Sequence, residues 1–393
     1  MNGERLYHFL PSPHFMSLLH EPEILLVADA HGLADVCEHL CKQAEFSFDT
    51  EYDSFKRSYG FNLLLMQIWD GERVYVIDPL AINDLAPLKA VMENRSITKL
   101  VYSGSEDIAL MKQFDIHIKN VFDVQVAATL CNHPARNLGN LILEEFQLTI
   151  DKRLQKSDWS LRPLSDAQLL YVANDVLFLG ELKRRLLPEV DRRGLTHVLD
   201  EENLALEEVG IREHVPELST FYYKTYSKSF CEALLALLIL RDELAKQINC
   251  PPDWIISKDN LEKVLSSQEV LRNPSAWNSF HPRVRSHEGW KKKFVAIISE
   301  YDPTDQRKMK SPHYVKFEST RPIMSREEKE NAVRLQYDPV FEEYVDKYGE
   351  LTGEYLLRNL KRIIKGEFKS EEPSRKYQLP IMDRMRSKPL TSH

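Results

Sequence analysis

Along the first 190 residues the apolar positions switch between a period of two and a period near 3.6, so strands alternate with helices. Residues 24–28 form a short apolar run of strand length, and residues 33–43 then space their apolar positions for a helix. Residues 44–51, 61–69, 73–77 and 98–102 are short and rich in β-branched or aromatic side chains, which reads as four more strands. Gly71, between two of these runs, predicts a tight hairpin. Beyond Ser103 the pattern is mainly helical, with one helix running from Ser165 to about residue 187. Strands flanked by helices imply a mixed sheet in an α/β layer architecture.

The pattern changes after residue 194. A polar connection with one acidic helix leads to residues 230–248, where Leu234, Leu237, Leu238, Arg241, Leu244 and Ala245 follow helical spacing until Pro251-Pro252. Short helices continue to about residue 299, and residues 301–321, rich in Pro, Lys and Ser, read as a linker. A last helical unit covers about 326–366. The expected division is an α/β domain over 1–195, a helical domain over 220–300, a second helical module over 322–368 and a disordered tail over 369–393.

Composition narrows the class. A chain of 393 residues with 43% hydrophobic and 10% aromatic content can build two or three packed cores. No apolar run is long enough for a transmembrane helix, and the first 20 residues lack the shape of a secretory signal. Five scattered cysteines fit the reducing cytoplasm better than a disulfide framework. Cys37 and Cys41 flank His39 without further ligands nearby, so they read as small buried hydrophobes. Charge is uneven: residues 1–190 carry 18 Lys and Arg against 27 Asp and Glu, and the remainder 34 against 33. An acidic domain suits nucleic acid poorly unless some of its acids hold cations.

Three segments carry candidate chemistry. On the strand Glu45-Phe-Ser-Phe-Asp49-Thr-Glu51, Asp49 and Glu51 share a face and repel, so that face is either solvated or holds a cation. Ser103 and Glu106 have capping-box spacing, which puts Asp107 in the first turn of a helix, where the dipole alone would favour it. Asp175 is surrounded by apolar residues and needs a partner, and Tyr171 stands one turn before it on the same face. Four oxygen donors without Cys or His select hard cations such as Mg²⁺ or Mn²⁺.

Phe48-Asp49-Thr50-Glu51, Ser103-Gly-Ser-Glu-Asp107 and Tyr171-x-x-x-Asp175 resemble the three exonuclease motifs of the DEDD superfamily, tyrosine subgroup. Ser157-Asp-Trp159-Ser-Leu-Arg162-Pro-Leu164, Ile77-Asp78-Pro-Leu80 and Phe122-Asp123-Val-Gln-Val-Ala127 are similar to ribonuclease D in particular. The resemblance covers roughly residues 24–190. It implies an RNase H-like exonuclease fold followed by all-α helical domains. It also implies 3′→5′ exoribonuclease activity on RNA with a free 3′ end, such as tRNA precursors, releasing nucleoside 5′-monophosphates. Asp49, Glu51, Asp107 and Asp175 would hold two Mg²⁺ or Mn²⁺ ions, and Tyr171 would orient the attacking water. Residues 225–300 resemble an HRDC module, a helical domain that binds nucleic acid or protein.

Substrate contacts are expected from Gln67, Lys152 and Arg162, with Met66 and Trp159 as possible stacking surfaces. Arg162 could instead brace a carboxylate, and Trp159 could belong to the core. A basic stretch, Arg283, Arg285 and residues 291–293, lies near Trp277 and Trp290. The expected setting is cytoplasmic, with no membrane and no obligate protein partner. Two other classes remain open at this level: a DNA 3′→5′ exonuclease using the same acids, and a non-catalytic RNA-binding adaptor.

Overall fold

The computed structural model describes residues 22–135, 137–211, 214–309, 325–365 and 373–387. Six strands form one mixed sheet in the order β1-β4-β3-β2-β5-β6: β1 Glu23–Val27, β2 Glu45–Ser54, β3 Phe61–Trp69, β4 Arg73–Ile77, β5 Thr98–Val101 and β6 Val121–Asp123. β1 runs parallel to β4, β2 to β5 and β5 to β6, while β3 and β4 are antiparallel. Gly71 makes the β3–β4 turn at φ +103°, open to glycine without strain. The central strand β2 thus has a neighbour on each side, and Phe46, Ser47 and Phe48 are all buried. A freely solvated sheet face is excluded for this part of β2.

The principal helices of this unit are α1 Ala30–Leu40, α2 Ser105–Met111, α3 Val124–Leu130, α4 Leu138–Phe146, α5 Asp166–Leu177, α6 Leu179–Arg192 and α7 Thr196–Leu206. Ser165 and Gln168 close the capping box read from the sequence and start α5. The single long helix expected from Ser165 is instead two, broken at Phe178. The capping box expected at Ser103 is absent: Ser103 takes a left-handed φ of +61°, and Gly104 caps α2 without a side-chain bond. Asp123, the N-cap of α3, instead holds the turn before α2, accepting from the Ser103 N–H at 2.9 Å and the Gly104 N–H at 3.2 Å. A Cβ at Gly104 would meet Val101 at 2.6 Å, so the tight approach of β5 to α2 requires glycine. Cys37 is buried as expected, but Cys41 is exposed.

Among the described residues, 325–365 and 373–387 group with 22–51 and 63–211, and a separate unit comprises 52–62 and 214–309. The last helical stretch is therefore no independent module. In α8 Asp338–Tyr348, α9 Glu350–Leu356 and α10 Leu360–Ile364, Val340, Leu356, Leu360 and Ile363 share one hydrophobic cluster with Leu130, Val176 and Val190. The structureless tail expected after residue 368 is corrected over α11, Leu379–Arg386, whose Ile381, Met382 and Met385 lie in the same cluster. The segments 310–324, 366–372 and 388–393, like the first 21 residues, lie outside the described residues.

Glu202 of α7 fastens this C-terminal segment. It is 5% exposed and takes Arg358, Arg375 at 3.0 Å and the Tyr377 hydroxyl at 2.9 Å. Glu202→Ala would leave two guanidinium groups near a buried site without their counter-charge. Loss of one partner of such a cluster typically costs about 3–5 kcal/mol. Chemical denaturation of this variant is expected to show a loss of that size, and an unchanged midpoint would deny the segment a structural role.

In the second unit, a helix over Lys228–Ile248 packs with Lys258–Ser267 and Glu288–Glu300 around Leu234, Leu237, Leu261, Phe280, Phe294 and Ile298. The long helix ends at Asn249 in the left-handed region, one residue before Cys250-Pro251-Pro252. From segment 52–62, the Tyr59 hydroxyl donates to Asp242 at 2.6 Å and the Tyr59 N–H to Asn249 Oδ1 at 3.2 Å.

Candidate active site

β2 delivers Asp49 and Glu51, the first turn of α2 delivers Asp107, and α5 delivers Tyr171 and Asp175 at i and i+4. Two neighbours fix the carboxylates. The Gln67 amide on β3 donates from Nε2 to Asp49 Oδ2 at 2.7 Å, and the Thr50 hydroxyl donates to Asp107 Oδ1. Asp49 and Asp175 keep part of their surface accessible, whereas Asp107 is buried.

The acids feel one another. Burial first, then the charges of Asp107, Asp175 and Glu51, raise Asp49 well above the ordinary carboxylate range. Burial pushes Asp107 up to about 6, against the hydrogen bond from Thr50. It pushes Asp175 up to about 7, against the favourable charge of Lys152. Burial, and then Asp175, Glu51 and Asp49, raise the Tyr171 hydroxyl far above its usual value, so it stays neutral. Residues from three separated segments thus share one electrostatic cluster.

None of the groups acting most strongly on Asp49 is a cation. A cluster of this kind is neutralised by protons or by bound cations, and an all-oxygen donor set suits a hard divalent ion. Among the described residues, no three His, Cys, Asp or Glu side chains already surround one point as a finished shell. The chemistry of the donors therefore fits a metal, while Asp49 and Asp107 are still turned toward Gln67 and Thr50.

The expected substrate readers fare differently. Gln67 is fully buried and donates to Asp49, so it steadies an acid from within the sheet. Arg162 is also withdrawn: it pairs with Asp78 through Nε at 2.5 Å and Nη2 at 2.8 Å, and its remaining donors go to main-chain oxygens. The bracing alternative holds for Arg162, and phosphate contact does not. Met66 and Trp159 are buried core residues. Lys152 is exposed, donates to Asn137 Oδ1 at 2.7 Å, and lies close enough for its charge to favour ionised Asp175. Thr50, Asp78 and Asp123 were not singled out from the sequence for these roles. Asp123, one residue before a helical run, carried an N-cap signal that could have marked it.

Residues 24–191 match the 3′-5′ exonuclease domain family. Ribonuclease D of Serratia proteamaculans is 27% identical over 299 residues, 73% of this chain and 78% of that protein. Ribonuclease D of Cronobacter turicensis is 30% identical over 61% of this chain and 66% of that protein. That of Escherichia coli is 34% identical over 45% of this chain, and the match spans about half of the relative, 48%. Among solved structures, E. coli RNase D, described as an exoribonuclease involved in structured RNA processing, superposes with a TM-score of 0.66 at 21% identity. That match covers 93% of this chain and 99% of the other. The catalytic core of RRP6 from Trypanosoma brucei gives 0.62 at 21% identity over 75% and 85%. At these identities the superpositions establish the shared fold.

Proposed function

Because this chain belongs to the ribonuclease D family of 3′→5′ exonucleases, hydrolytic exoribonucleases that depend on divalent metal, we propose that it trims structured RNAs such as tRNA precursors from the 3′ end at the Asp49, Glu51, Asp107 and Asp175 cluster. The observation that carries this reading is that Asp107, Asp175 and Glu51, coming from three segments of the chain, all press on the ionisation of Asp49. Two Mg²⁺ or Mn²⁺ ions held by the four acids would supply neutralisation of the phosphate and acidity to water.

The rest falls to the chain. Tyr171 is held neutral, so it is a poor base; its hydroxyl hydrogen-bonds the attacking water and aims it in line with the scissile bond. Water adds to the last phosphorus as the bond to the penultimate 3′-oxygen breaks. A nucleoside 5′-monophosphate leaves, and a proton returns to the new 3′-hydroxyl. Lys152, exposed near Asp175, is placed to meet a substrate phosphate. In the second unit, Arg283, Arg285, Lys292 and Lys293 are exposed, which supports an HRDC-like role in holding RNA. All five cysteines are free, as the cytoplasm would keep them. No described helix is long and apolar enough to cross a membrane.

Tyr171→Phe is expected to lower kcat about 100-fold, the low end of the scale for a residue acting on the attacking group, with KM little changed. Single-turnover rates on a labelled RNA check this, and an unchanged kcat would remove Tyr171 from the mechanism. The reading as a whole is tested with 3′-extended tRNA and a matched DNA in Mg²⁺, Mn²⁺ or EDTA. Stepwise shortening of RNA alone, stopped by EDTA, is the expected result. Faster loss of DNA favours a DNA exonuclease, and binding without shortening favours an adaptor.

A further inference from the structure

The segment from Asp158 to Pro163 has no helix or strand of its own, yet it is tied down at an uncommon number of points. All five N–H donors of Arg162 are engaged. Nε and Nη2 take the two oxygens of Asp78, Nη2 also reaches Leu64 O at 3.0 Å, and Nη1 donates to Trp159 O at 2.7 Å and Leu161 O at 2.8 Å. Asp78 is itself immobile: it is 4% exposed, accepts from the Leu80 N–H at 3.0 Å and donates its own N–H to Val27 O at 2.8 Å. A bidentate pair of this kind fixes angle as well as distance. The sheet therefore sets Arg162, and Arg162 sets the main chain of Trp159.

Trp159 in turn meets Tyr171. Its ring is 3% exposed and stacks on the tyrosine with centroids 5.7 Å apart and planes 29° apart. Its indole N–H has no hydrogen-bond partner among the described residues. What Trp159 contributes is thus a flat apolar surface, and the polar atom of the indole adds nothing.

We propose that residues 158–163 form a strap whose purpose is to hold the Tyr171 ring, so that Trp159 and Arg162 are positioning residues for the tyrosine hydroxyl. This rests on the reading of Tyr171 as the residue that aims the water. A hydroxyl does that only if its ring cannot swing, and α5 alone leaves the ring free to change rotamer. The stacked Trp159 ring restricts that freedom.

A double-mutant cycle on kcat tests this. Trp159→Leu is expected to lower kcat about tenfold with KM changed less than twofold, while Trp159→Phe, which keeps a flat ring and drops only the unused N–H, stays within about threefold of the parent chain. In a Tyr171→Phe background, Trp159→Leu should change kcat less than twofold, since no hydroxyl remains to be aimed. Equal losses in both backgrounds would overturn the strap while leaving the role of Tyr171 intact. A Tyr171→Phe enzyme as fast as the parent would overturn both. Should Trp159→Leu fail to fold, Arg162→Gln, which leaves the ring and cuts the bidentate link, carries the same comparison with the same outcomes.

Discussion

Asp49→Asn is expected to slow RNA shortening by about 1,000-fold or more, roughly 4 kcal/mol of barrier, and to leave the fold at least as stable as before. The two halves come from one cause. Asp49 is the acid whose ionisation is opposed both by burial and by the charges of Asp107, Asp175 and Glu51. Removing its charge takes away a ligand and also a repulsion. Without divalent cations the variant should therefore melt at the same temperature as the parent chain or higher, because the Gln67 amide can still donate to the asparagine carbonyl. A variant that loses activity and stability together would recast Asp49 as a structural residue. A variant that keeps its rate would remove it from the site altogether.

The second large effect is on stability as a function of pH. Asp107 and Asp175 stand at about 6 and about 7 in the folded chain, above the unfolded value near 3.9. For groups raised on folding, the folded state binds the extra protons, so the stability they confer is full below pH 4 and is lost as pH rises through 6 and 7. In EDTA the melting temperature should fall between pH 5 and pH 8, by an amount worth on the order of a few kcal/mol. Mn²⁺ or Mg²⁺ binds the ionised carboxylates, so it should restore stability, and the gap between melts with and without the ion should widen with pH. Cleavage should climb through the same window. A gap that is constant or shrinks toward pH 8 would show that the ion sits elsewhere.

Two of the acids stand out in the chain because their local pattern makes a charge awkward, whereas Asp107 stands out only through the order of the three motifs. Asp175 lies between Val172, Ala173, Val176 and Leu177, all buried in α5, and Asp49 alternates with Phe46 and Phe48 on β2. Strand and helix periods placed these elements nearly where they lie, and Ser165 with Gln168 located the start of α5 by a bond between side chains three residues apart. What the chain concealed depends on partners far away in sequence. Arg162 looks like a phosphate ligand until Asp78, 84 residues earlier, takes its fork. Gln67 looks like a base reader until β3 is seen to turn it onto Asp49. Ser103 and Glu106 have the spacing of a capping box, but Asp123, 20 residues on, holds Ser103 and Gly104 in a turn before the helix. The C-terminal helices read as a module and a tail for a related reason. Ile381, Met382 and Met385 make a weak apolar pattern alone, and acquire a core only against the α/β unit.

The central claim is that the acidic cluster holds divalent cations that RNA cleavage requires. It is tested most directly by titrating Mn²⁺ into the metal-free chain and into Asp49→Asn by calorimetry, with RNA shortening followed on the same samples. The account predicts two ions per chain for the parent, loss of at least one with Asp49→Asn, and cleavage that appears only as the sites fill. Shortening that persists in EDTA, or an Asp49→Asn chain that binds and cleaves like the parent, would contradict it.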